Sequence, residues 1–94
     1  MTLKIVWSVQ ARAQFIATLT YIAKEDPQSA TLVRDRVDKS IRLLADSPLM
    51  GVPAPLAGVR TYAVPNTGHS FDYRIVRQEL RIQRWYRQRR QPAS

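Results

Sequence analysis

The arginines are the residues of this chain best equipped for chemistry, and their placement is uneven. The 94-residue sequence carries a formal charge of +8. Residues 1–59 hold seven Lys or Arg against five Asp or Glu, whereas residues 60–94 hold eight arginines against two acids. Arg60 opens one predicted strand, Arg74 lies mid-sheet, and Arg84, Arg87, Arg89 and Arg90 crowd the C-terminus. A guanidinium can clamp a phosphate or carboxylate with paired hydrogen bonds. Charge gathered in one third of a chain makes a local field suited to an acidic partner, nucleic acid or protein. Trp85 and Tyr86 sit among these arginines and could stack on bases or fill a partner's pocket. The competing reading packs one of the two in the core and lays the other over the sheet.

Bond-making chemistry has less support. His69 is the single histidine, beside a Gly-containing turn with Asp72 close in sequence. A catalytic imidazole needs an orienting partner and a substrate within reach, and His69 reads instead as an exposed turn residue. One histidine, no cysteine and scattered acids give no metal-ligand spacing. Gly-rich phosphate loops, GxSxG and paired carboxylates are missing from the sequence. No catalytic residue, metal or cofactor is therefore predicted. Lack of cysteine rules out disulfides and favours a cytoplasmic setting. The N-terminus does not read as a signal peptide, and no apolar run approaches the roughly 20 residues that span a membrane.

The elements that would carry these side chains follow from periodicity. Phe71, Tyr73 and Ile75 alternate with Asp72, Arg74 and Val76; beyond Arg77-Gln78-Glu79, Leu80 and Ile82 alternate with Arg81 and Gln83. That is an antiparallel hairpin with one face on a core. Residues 3–7 form a first strand, with Leu3, Ile5 and Trp7 on one side. Ser8 caps a helix of about four turns striped by Ala11, Phe15, Leu19 and Ile22, with Arg12, Gln14 and Thr18 between them. Asp26-Pro27 restarts a second helix striped by Ala30, Val33, Val37, Ile41 and Leu44. Three or four residues are expected to link the two helices. Residues 48–58 read as a loop, 59–64 as a strand and 65–68 as a turn. The result is one α+β domain over 1–94, ordered β-α-α-β-β-β, with a helical hairpin on a small, mainly antiparallel sheet and a mobile basic tail from residue 87.

Trp7-Ser8, Ala11, Tyr21-Ile22-Ala23 and Pro27, then Leu44, Pro48, Gly51, Gly58-Val59-Arg60, Tyr73-Arg74 and Arg89-Arg90, occur in an order that resembles ParE-type toxins. These belong to the RelE/ParE superfamily of bacterial type II toxin–antitoxin systems. The resemblance covers nearly the whole chain and implies the same fold. It also implies a basic toxin held in a hetero-oligomer by a ParD-like acidic antitoxin. ParE-like members poison DNA gyrase; RelE-like members are ribosome-dependent mRNA endoribonucleases. Ser70-Phe71 stands where the ribonuclease branch usually has an arginine, Tyr62-Ala63-Val64 lacks its lysines, and Arg87 replaces a frequent histidine. The expectation is thus a non-enzymatic gyrase inhibitor, with the ribonuclease as alternative and a plain nucleic-acid-binding module as a third reading. Arg60, Arg74, Arg84, Arg87, Arg89 and Arg90 are the expected target contacts. Leu19, Tyr62, Trp85 and Tyr86 are the expected antitoxin contacts.

Overall fold

The structure, a computed structural model, describes residues 2–88. The chain runs β1 (Lys4–Trp7), α1 (Val9–Glu25), α2 (Pro27–Asp46), a 3-10 turn (Pro48–Met50), β2 (Val52–Pro53), β3 (Val59–Val64), β4 (His69–Val76) and β5 (Glu79–Arg87). The strands form one sheet in the order β1-β5-β4-β3-β2, parallel at β1–β5 and antiparallel elsewhere. Two-residue β2 falls in the stretch expected to be loop, as an edge strand whose Pro53 has no N–H to donate.

Each helix begins where its cap dictates. Ser8 accepts from the Ala11 N–H at 3.0 Å, and Asp26 accepts from the Gln28 N–H at 3.1 Å, with Pro27 at the first turn of α2. The expected three- or four-residue linker is a single residue. Asp26, extended at φ −155, donates its N–H to Ile22 and starts α2 with its carboxylate. Hydrogen bonds from Ser29 and the Gln28 N–H hold that carboxyl below its usual pKa range.

Both helices lie on one face of the sheet, α1 over β5 and α2 over β1 and β3. Val33, Val37, Ile41 and Leu44 of α2 meet Phe71, Tyr73, Leu80, Ile82 and Trp85 in the core. The expected stripe of α1 is present, but Phe15, Leu19 and Ile22 are half-buried at the margin and only Ala11 is fully buried. Gln14 and Thr18, read from sequence as lying between the stripe residues, turn inward to hydrogen-bond Trp85. The β4–β5 connection is a two-residue turn, Arg77-Gln78, with Arg77 at φ 57 and Glu79 already in the strand. Arg87, the first residue of the expected tail, ends β5; the rest of that tail, with Arg89 and Arg90, lies outside the described residues.

Candidate functional site

The sheet face opposite the helices is open except at Val59 and Ser70, which are buried, and strand register places its side chains. One row across it is Val59, Arg74, Arg81 and Val6; the next is Thr61, Asp72 and Arg84, and beyond that lie Ser70 and Tyr86. Arg74 stands directly across from Arg81. Like charges in that position disfavour folding by roughly 0.2–1 kcal/mol, so this pair is a cost that packing does not explain. Both carboxylates on the face are engaged locally. Glu79 Oε1 takes Nε and Nη2 of Arg81, each at 2.9 Å. Asp72 Oδ1 accepts from Thr61 Oγ1 at 2.8 Å and from Tyr86 Oη at 2.7 Å. Arg74 and Arg84 form no ion pair within the described residues. Arg74 lies against Gly58, where a Cβ would come within 3.2 Å of its Nη1, and Arg84 sits 5.3 Å over the Tyr86 ring.

The other predicted contacts scatter. Arg60 points to the helix side, where its Nη1 donates to the carbonyls of Gly51 (2.7 Å) and Leu49 (3.3 Å) and clasps the loop before β2. Leu19 packs against the core margin. Tyr62 is half-buried against Phe71 and beside Lys39 and Leu43 of α2. Trp85 is a core residue, 2% exposed, with no face to offer a partner while the protein is folded. Its neighbour Tyr86 is the aromatic on the open face. The sheet thus brings Arg74, Arg84 and Tyr86 together and separates them from Arg60 and Arg87. It also brings together two residues the sequence left apart, His69 and Arg87, which are directly paired across β4 and β5.

Burial raises the pKa of the Tyr73 hydroxyl; burial and its bond to Asp72 raise that of Tyr86. Unfolded tyrosines ionise near pH 10, the folded ones higher. Above that point the unfolded chain therefore binds fewer protons, and stability falls as pH rises. Each tyrosine contributes up to about 1.4 kcal/mol per pH unit in that window. Urea midpoints at about pH 9 and about pH 11 should differ less in Tyr86→Phe than in the wild type; an equal difference would mean that Tyr86 carries no linkage.

A helical hairpin over one face of a five-stranded sheet, with a basic face opposite, defines a small α+β domain of RelE/ParE-like architecture. The chromosomal ParDE TA system from P. aeruginosa superposes with a TM-score of 0.81 at 21% identity, over 94% of this chain and 98% of that one. A YoeB/ParE toxin from Agrobacterium tumefaciens gives 0.62 at 17% identity, over 93% and 100% of the two chains. The YoeB dimer from Staphylococcus aureus gives 0.60 at 14%, over 89% and 94%. The family described as ParE toxin of type II toxin-antitoxin system, parDE, matches residues 5–92, and the chain belongs to it. A relative from Sinorhizobium fredii, named "Putative toxin Y4kP", is 28% identical over 74 residues, covering 79% of this chain and 77% of that protein. This protein is a ParE-family toxin of a type II toxin–antitoxin system. No helix among its described residues is long and apolar enough to cross a membrane.

Proposed function

We propose that this toxin inhibits DNA gyrase by binding, making and breaking no bond itself, and that an acidic antitoxin neutralises it by covering the open sheet face. The observation that carries this reading is the state of charge on that face. Among the described residues Arg74 and Arg84 have no acid paired with them, while Asp72 and Glu79 are already engaged by neighbouring side chains. Such a face offers cations to an acidic partner and no free carboxylate as a base. Charge of one sign steers an oppositely charged partner and then pairs with it.

The test is plasmid supercoiling by purified gyrase with the toxin added, scored for lost supercoiling and accumulated cleaved plasmid. Inhibition with cleavage is expected. A charge-assisted hydrogen bond contributes about 1.5–3 kcal/mol, so Arg74→Ala or Arg84→Ala should each raise the toxin concentration required by about ten- to a hundredfold. Both variants remove unpaired surface arginines, so circular dichroism should report unchanged folding. Folded wild-type toxin with no effect on gyrase would overturn the reading, and mRNA cleavage in a purified translation system would be measured next.

A further inference from the structure

On the helix side of the sheet, α1 and the ends of β4 and β5 enclose a cleft of about 500 Å³ lined by Ala17, Thr18, Tyr21, Ile22, His69 and Arg87, with the 67–68 turn at its rim. His69 is held there more firmly than an exposed turn residue needs to be. Its Nδ1 lies 3.0 Å from the Thr67 carbonyl, an acceptor only, so Nδ1 carries a proton. Its ring stacks on Trp85 at 5.1 Å and 6°. Thr67 Oγ1 accepts from the His69 N–H and donates to the Val64 carbonyl, fixing the turn beneath it. These restraints leave Nε2 as the ring nitrogen available to a ligand. Directly across the strand pair is Arg87, which forms no ion pair within the described residues. Among the described residues no carboxylate lines the cleft, and Tyr21 of α1 and Arg87 of β5 are its other titratable groups.

We propose that this cleft is a carboxylate-binding site that takes an acidic side chain flanked by an apolar one, presented by a partner polypeptide. The site lies on the opposite face from Arg74 and Arg84 and does not depend on the gyrase reading. Arg87 supplies the charge-assisted bonds, and Ala17, Ile22 and the Tyr21 ring supply the apolar wall. A nucleic-acid backbone fits less well, because it calls for a track of cations, and Arg87 is the one Lys or Arg among the described residues that line the cleft. With Nδ1–H committed to Thr67, Nε2 donates to a carboxylate only when the imidazole is protonated. Protonation of the imidazole therefore strengthens binding.

The chain has one histidine, so its imidazole proton resonance reports the site without ambiguity. The full-length toxin would be titrated with a capped peptide alternating glutamate and leucine, its glutamine counterpart, inorganic phosphate and a short poly-uridine RNA. The glutamate peptide is expected to shift the His69 resonance. It should bind several-fold more tightly at about pH 5.5 than at about pH 8. Arg87→Ala should weaken it by about tenfold or more, the loss of a charge-assisted bond. His69→Gln, whose amide donates at any pH, should bind with no pH dependence. Equal binding of the glutamine peptide, a response to phosphate or RNA stronger than to the glutamate peptide, or no shift in folded protein would each overturn the proposal.

Discussion

Trp85→Ala is expected to lower the unfolding free energy by about 3–5 kcal/mol, the cost of truncating a large buried aromatic. Small domains hold only about 5–15 kcal/mol in total, so this one change removes a large share of it. The indole is the centre of an aromatic stack. Phe15 meets it edge-on at 4.8 Å and stacks on Trp7 at 5.1 Å, while His69 stacks on it at 5.1 Å. Its Nε1 donates to Thr18 Oγ1 at 2.9 Å and its backbone N–H donates to Gln14 Oε1 at 3.0 Å, so α1 is fastened to β5 at this residue. In a domain of this size about 1 kcal/mol corresponds to 4–8 °C in Tm, so thermal denaturation should show a drop of more than about 12 °C. Tyr86→Ala, one residue along but on the open face, should change Tm far less. A folded Trp85→Ala with native Tm and lost partner binding would instead restore Trp85 to the contact surface on which its sequence surroundings place it.

That contrast shows where the sequence was legible. Ser8, Asp26-Pro27 and the stripe of α2 are local signals, and the structure follows them. Alternation in β4 and in Leu80 and Ile82 places the core face correctly. Carried past Ile82, the same rule turns Trp85 outward and Arg84 and Tyr86 inward. The register shift opposite Asp72/Tyr73 inserts Gln83 as an extra residue and reverses all three. That bulge is held from a distance. Ser8 Oγ donates to the Gln83 carbonyl and Gln14 accepts the Trp85 N–H, across 75 and 71 residues. Nothing within β5 announces those partners. The His69–Arg87 pair was hidden for a related reason. Reading Arg87 as the start of a tail removed the strand position that sets it opposite His69.

Gly51→Ala is the second substitution with a large expected effect, and its cause is space, not conformational freedom. Gly51 has φ −70 and ψ 160, a backbone any residue adopts. A Cβ there would stand 2.5 Å from Tyr73 Oη, 2.7 Å from Tyr73 Cε1 and 3.0 Å from the Thr61 carbonyl oxygen. The ring is fully buried and the carbonyl is in the sheet, so neither yields easily. Tyr73 Oη meanwhile donates to the Pro48 carbonyl at 2.6 Å and accepts the Gly51 N–H at 3.0 Å, and Arg60 grips the Gly51 carbonyl from the other side. Overpacking of this kind costs about 1–3 kcal/mol. Tyr73→Phe, which strands the buried Gly51 N–H and the part-buried Pro48 carbonyl, is expected to cost about 1–3 kcal/mol, mostly from the Gly51 N–H. Both changes break the same clasp, so the double variant should cost less than the two together, by about 0.5–3 kcal/mol in urea denaturation. Either single change also frees a segment carrying exposed Leu49, Met50, Val52 and Leu56, so limited proteolysis should cut first within residues 48–58. Additive costs, or cleavage elsewhere, would mean that the loop is held by Arg60 and not by Tyr73.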